Sequence, residues 1–251
     1  MSGHSKWANI KHKKAAKDAK RGKVFTRISK ELTIAAREGG GDAEANPRLR
    51  LAVMNAKSVN MPAENIKRAI QKGTGEIAGV TYEELTYEGY GPNGGAVILE
   101  TVTDNRNRTI AEIRSTMTKL GGNLGEANSV AWNFDRRGVV TIKTNGKEED
   151  DILEHVLEAG ADDLDYDTDQ SRIICPFDKL YLCNKYFEQN KFEVTESKPE
   201  YLPKQTITVE NINDAKKVMR FLDYFEEHDD VQNVFSNYDI SDEIMEQLEK
   251  E

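Results

Sequence analysis

Apolar residues recur at helical spacing through the first 75 positions and at strand spacing after them. Val24, Ile28, Leu32 and Ala35 fall on one face of a helix from Lys23 to Glu38, and Gly39, Gly40 and Gly41 stop it. Asn46 before Pro47 reads as a cap followed by a proline at the first helical position. Leu49, Ala52, Val53, Ala56 and Val59 give that second helix its apolar side. Pro62 opens a third helix in which Ile66, Ala69 and Ile70 face inward, and Gly73 closes it. The pattern predicts a small helical bundle over residues 1–76, led by a basic helix from about Asn9 to Arg21. Gly73, Gly75 and Gly79 then suggest a hinge.

Beyond Gly79, TYEELTYEG and AVILETVT read as a hairpin, and Ile110, Ile113, Met117 and Leu120 mark a helix ended by Gly121 and Gly122. From about Arg137 the series runs VVTIK, a helix through Ile152, Leu153, Val156 and Leu157, DLDYD, RIIC, a helix through Leu180, Cys183 and Phe187, then FEVTES. That is the βαββαβ order of a ferredoxin-like domain. A strand (QTITVE), a helix through Ala215, Val218, Met219, Leu222 and Phe225, and a strand (VQNVFS) follow. The expected fold is α+β and multidomain: an N-terminal helical bundle followed by two ferredoxin-like α+β domains, one inserted in the other. The inserted domain is 135–203, the discontinuous one 79–134 plus 204–238, and 239–251 is an acidic tail or terminal helix.

Charge divides the chain along the same line. The formal charge is −9, yet the first 30 residues carry ten Lys or Arg and one acid, Asp18. Residues 1–72 hold 17 basic and 6 acidic side chains, and the other 179 residues hold 18 and 38. A phosphate backbone is attracted to the first part and repelled by most of the second. Lys11, Lys14 and Lys17, or Lys13, Lys17 and Lys20, lie at helical spacings, while Ala15, Ala16 and Ala19 leave little apolar mass to bury. A solvated solubility face is the competing reading, and the missing acids and nearby aromatics speak against it. The candidate nucleic-acid contacts are His4, Lys6, Trp7, Lys11, His12, Lys13, Lys14, Lys17, Lys20, Arg21, Lys23 and Arg27.

Other chemistries find no support. The densest apolar run, AVILETV, is far too short to span a bilayer, and no apolar stretch follows the N-terminal charges as a secretory signal requires. A transit peptide favours Arg and Ser, whereas this opening is Lys-rich and runs into an amphipathic helix. Cys175 and Cys183 form no CxxC motif, and His4, His12, His155 and His228 are scattered, so no metal site is expected and a reduced, cytoplasmic setting fits. GYGPNG matches GxGxxG, but a strand follows it where the dinucleotide fingerprint needs a helix. In DDLDYDTD the acids alternate with Leu164 and Tyr166, which predicts a solvated strand face; the Gly and Glu of an EF-hand loop are missing. With no nucleophile motif or P-loop, the chain reads as non-enzymatic, without cofactor or small-molecule substrate.

The run GHSKWANIKHKKAAKDAKRGKVFTRISKEL closely resembles the opening of the YebC family, and NMPAENIKRAIQKGTG, YEGYGPNGGAV, TDNRNRT and GEANSVAWNFDRRG resemble its later segments. The resemblance implies three domains, one helical and two α+β, and a cytoplasmic protein without enzymatic activity or cofactor. It implies two alternative partners. Some members are described as DNA-binding transcriptional regulators; others, including a mitochondrial activator of cytochrome c oxidase translation, act on the ribosome, where the target is ribosomal RNA or tRNA and the effect is relief of stalling. A flexible Lys-rich arm suits phosphates in either. Tyr90, Gly91, Pro92, Asn93 and Gly94, with Arg106 and Arg108, form a candidate partner-contact loop.

Overall fold

The computed structural model describes residues 17–250, with side chains described from Gly22 onward apart from four near the C-terminus. Three helices come first: α1 (Lys17–Gly39), α2 (Pro47–Ser58) and α3 (Ala63–Thr74). Next are β1 (Glu83–Tyr90), β2 (Ala96–Thr103), α4 (Arg106–Lys119), β3 (Asn123–Leu124) and β4 (Phe134–Lys143). They are followed by α5 (Glu149–Glu158), β5 (Asp163–Asp165), β6 (Gln170–Pro176), α6 (Leu180–Gln189) and β7 (Val194–Pro203). The last elements are β8 (Ile207–Val209), α7 (Ile212–Glu227), β9 (Val231–Ser236), β10 (Tyr238–Ile240) and α8 (Asp242–Lys250). The fold is mixed α+β with antiparallel sheets, and the described residues form two compact units.

One unit joins residues 17–80 to 136–200. Within it, α1 packs against both α2 and α3 around Leu32, Ala35, Leu49, Ala52, Ala56, Met61, Ile66 and Ala69. The basic stretch and the amphipathic helix after it join without a break over the described residues, α1 being continuous from Lys17 to Gly39. The start of the basic helix, residues 9–16, lies outside the described residues. Asn46 caps α2 as its sequence predicts: its Oδ1 accepts from Leu49 N at 3.1 Å. Its Nδ2 also donates to Ala35 O at 2.7 Å and Gly40 O at 2.9 Å, tying the end of α1 to the start of α2. Asn46→Ala removes three hydrogen bonds at a buried cap and is expected to cost about 2 kcal/mol in a denaturant titration. A loss below about 0.5 kcal/mol would show the cap to be dispensable.

Gly73 does not close the third helix. The helix runs on to Thr74, and Gly75, at φ 80°, is the left-handed cap. Gly73 instead lets α3 meet α1: a Cβ there would lie 2.3 Å from Thr33 O and 2.8 Å from the Ala36 Cβ. The apparent hinge glycine is a packing position.

In the same unit a four-stranded sheet of order β5-β6-β4-β7 is backed by α5 and α6, whose Ile152, Val156, Leu180, Cys183 and Phe187 meet Val140, Ile142 and Ile173. The helix α2 attaches to this layer. Asn55 Nδ2 donates to Ser197 O at 2.6 Å and Asn55 Oδ1 accepts from Ser197 N at 3.0 Å, which extends the edge of β7. The Arg50 guanidinium lies 4.7 Å from the Tyr181 ring. The acids of DDLDYDTD depart from a purely solvated face, since Asp165 of β5 pairs with the nearly buried Arg172 and Asp167, beyond the strand, accepts from the turn amide of Asp169 at 2.8 Å. Cys175 and Cys183 are free and buried.

Tyr186 links α6 to α5 through His155 Nδ1, 2.9 Å from its hydroxyl, and through Glu158. Burial, together with the Glu158 carboxylate that accepts its hydroxyl, pushes the phenol up to about 12. The folded state therefore holds this proton more tightly than the unfolded chain, whose tyrosines titrate near about 10. The stabilising contribution is complete below that pH and is lost as pH rises through about 12. Tyr186→Phe is expected to reduce the fall in melting temperature across this window; an unchanged alkaline profile would assign the fall to other groups.

The other unit comprises residues 81–135 and those from Tyr201 onward. Its sheet has the order β3-β1-β2-β9. Alternation along β2 explains its continuous apolar run, with Val97 and Leu99 meeting Phe221, Phe225 and Tyr238 while Ala96 and Ile98 meet Val130, Phe134 and Phe235. The segment QTITVE does not complete this sheet as its position in the element count suggests. Only Ile207–Val209 is extended, and it pairs in parallel with β10, after which Ile244 and Met245 of α8 enter the core. The acidic C-terminal stretch thus contains a docked helix. No described helix is long and apolar enough to cross a membrane.

Candidate nucleic-acid interface

The basic residues of the bundle divide into those used in the fold and those left to solvent. Arg48 is used, bridging Glu31 at 2.8 Å and Glu38 at 2.8 Å. Arg50 donates to Ala43 O at 2.8 Å besides stacking on Tyr181. By contrast Arg37, Lys57, Lys67, Arg68 and Lys72 are exposed and make no ion pair among the described residues. Three of these belong to α3. Its buried Ile66 and Ala69 set the rotation of the helix, so Lys67, Arg68 and Lys72 and the neighbouring Asn65 must point away from the core. Gly79 packs on the Lys72 stem, which fixes the root of that side chain while leaving the ammonium in water.

Of the contacts read from sequence, His4, Lys6, Trp7, Lys11, His12, Lys13 and Lys14 lie outside the described residues. Lys17, Lys20 and Arg21 lie on α1 by backbone alone. Lys23 and Arg27 are half-buried one turn apart on α1, each with further interactions. The cations of α3 are absent from that set, although NIKRAIQK carries the signal: two cations in adjacent positions and a third four residues after the second, on a helix whose apolar stripe lies elsewhere.

The GYGPNG loop is built from inside. Gly91 and Pro92 are buried, Tyr90 is half-buried, and the Tyr238 hydroxyl donates to Pro92 O. A Cβ on Gly95 would lie 2.2 Å from the Tyr238 ring, and Asn93 and Gly94 are the fully exposed positions of the loop. Arg106 and Arg108 are exposed at the start of α4. Arg108 donates to Asp104 at 3.0 Å and to the buried Asp230 at 2.8 Å, and that hydrogen-bonded carboxylate holds its guanidinium above the usual range. Asp230 also accepts from Thr109 Oγ1 at 2.7 Å, so this cluster closes the N-terminus of α4 as a structural knot.

No group of three or more His, Cys, Asp or Glu among the described residues is placed to hold a metal ion. A groove of about 430 Å³ between α7 and α8 is lined by Lys216, Met219, Arg220, Asp223, Tyr224, Glu227 and Leu248.

The family profile "TACO1/YebC protein N-terminal domain" matches residues 5–76, and "TACO1/YebC second and third domain" matches residues 82–238. The chain belongs to the TACO1/YebC family. A TACO1/YebC relative from Dictyoglomus turgidum, named "Probable transcriptional regulatory protein", is 50% identical over 249 residues, covering 99% of this chain and 100% of its own. A protein of the same name from Halothermothrix orenii is 49% identical over 253 residues, covering both chains completely. The crystal structure of a conserved hypothetical protein from Aquifex aeolicus superposes with a TM-score of 0.89 at 42% identity, covering 95% of this chain and 98% of that one. The names of these TACO1/YebC relatives describe a regulator and not an enzyme.

Proposed function

We propose that this TACO1/YebC protein is a non-enzymatic, cytoplasmic regulator of gene expression that holds nucleic-acid phosphates on the cationic side of its helical bundle. The observation that carries the reading is the outer face of α3, where Lys67, Arg68 and Lys72 stand exposed and unpaired in a chain of net charge −9. Side chains that contribute neither packing nor ion pairs to the fold retain their full charge for a ligand. The basic sequence before α1, with Lys11, Lys13 and Lys14, adds flanking charge, and Lys17, Lys20, Arg21, Lys23 and Arg27 continue it on α1. Regulation of transcription through DNA accords with the relatives' names. The connection between α2 and α3 is also short enough for a helix-turn-helix, with Asn65, Lys67 and Arg68 early in the second helix, where base contacts are made.

If about six cations meet phosphates, log K falls with log salt at a slope near −5 for duplex DNA. A slope near zero in a fluorescence-anisotropy titration would remove the phosphate reading. Crosslinking and sequencing of bound nucleic acid in cells identifies the target. Enriched promoter DNA supports transcriptional regulation, ribosomal RNA or tRNA supports a translation factor on the ribosome, and recovery of neither overturns the proposal. The ribosomal reading draws on a separate observation, an exposed tryptophan suited to unpaired bases.

A further inference from the structure

We propose that Trp132 is a stacking platform for an unpaired base of single-stranded nucleic acid, an inference that rests on the nucleic-acid reading above. Trp132 is 64% exposed, so its ring contributes little to the core. Its backbone is nonetheless held by hydrogen bonds on both sides. The buried Glu88 carboxylate accepts from the amides of Asn128 at 2.7 Å, Val130 at 2.8 Å and Ala131 at 2.8 Å, which fixes the chain up to the residue before the tryptophan. On the other side Asn133 is buried, and its carboxamide pairs with the backbone of Gln205 in both directions at 3.0 Å. A large aromatic ring left in water between two such anchors is preorganised for a contact: binding orders neither the loop nor much of the side chain.

The chemistry of that contact follows from what the ring has left to offer. The indole Nε1 donates to Ser129 O at 3.0 Å, and the same carbonyl accepts the Tyr90 hydroxyl at 3.1 Å. With its only donor used internally, Trp132 presents an apolar π face. Protein anchors use both the apolar body and the polar handle of tryptophan, whereas a base needs only the face. A cation stands beside it: Lys204 Nζ lies 3.2 Å from Trp132 O and 3.2 Å from Asp135. That ion pair is half-exposed and worth little, so the ammonium is able to exchange Asp135 for the phosphate attached to a stacked base.

The test uses the full chain carrying Trp7→Phe, in which Trp132 is the sole tryptophan. A 12-nucleotide single-stranded RNA is expected to quench its fluorescence, and a duplex of the same length is not. In the same background, Trp132→Ala should weaken single-strand binding about tenfold and leave duplex binding unchanged. Trp132→Phe should retain most of the affinity, which guards against a folding defect in the alanine variant. Binding of both oligomers without quenching and without an effect of Trp132→Ala overturns the stacking inference alone. Binding of neither, by the wild-type chain as well as by the Trp7→Phe background, overturns the phosphate reading with it. Loss of a protein partner in Trp132→Ala, with single-strand affinity intact, assigns the ring to a protein interface and also overturns the inference.

Discussion

Glu88→Ala is expected to lower stability by about 3 kcal/mol or more, because three backbone amides lose one buried acceptor at once. Glu88 is 8% exposed, and Val130, one of the residues whose amide it holds, is 1% exposed, so water cannot replace the carboxylate without opening the loop. Glu88→Gln keeps one oxygen acceptor but turns an amide group toward N–H donors, and it should recover only part of the loss. Urea unfolding midpoints check the order wild type, Gln, Ala. A deficit under about 1 kcal/mol for the alanine variant would mean that the loop is held elsewhere. The same variant should change the emission of Trp132, since the residues before it lose their anchor.

The second large effect is expected on binding. Lys67→Glu, Arg68→Glu and Lys72→Glu combined should weaken duplex affinity by at least about 100-fold at 0.1 M salt and bring the salt slope from near −5 to about −2.5. None of the three residues makes an ion pair among the described residues or is buried, so the melting temperature should stay within a few degrees of wild type. An unchanged slope in the triple variant would move the phosphate contacts off α3 and onto the arm. Charge reversal at Lys13, Lys14 and Lys17 then measures the arm separately.

Elements marked by a local chemical signal were readable in the sequence. Asn46-Pro47 announced the start of α2, the hairpin around GYGPNG came from its turn residues, and the apolar spacing of α7 placed Val218, Leu222 and Phe225 in the core, where they are fully buried. Failures arose where a tertiary partner changed a residue's meaning. Gly73 has the look of a helix stop until α1 is placed against it. QTITVE alternates like a sheet strand, but its partner is β10, and the choice of partner is not encoded in the period of a single strand. The site divides in the same way. A run of lysines is conspicuous in one dimension, whereas the spacing of Lys67, Arg68 and Lys72 does not by itself set them apart from Arg48 and Arg50, which the fold consumes on Glu31, Glu38, Ala43 and Tyr181. Trp132 lies in GEANSVAWNFDRRG, which resembles the family, and its exposure is a property of the fold alone.

The parallel pairing of β8 with β10, and the burial of Ile244 and Met245 behind it, bear on how the chain is made. Residues 81–135 emerge early during synthesis, but β2 finds β9 only after residue 231 has been translated, and the last helix closes the same core later still. Residues 17–80 and 136–200 have by then all been synthesised, so the cationic bundle and its attached sheet are able to fold while the other unit waits for its final strands. Translation that halts before residue 231 should therefore leave a chain with an intact cationic bundle and an exposed half-core, a substrate for chaperones or proteases.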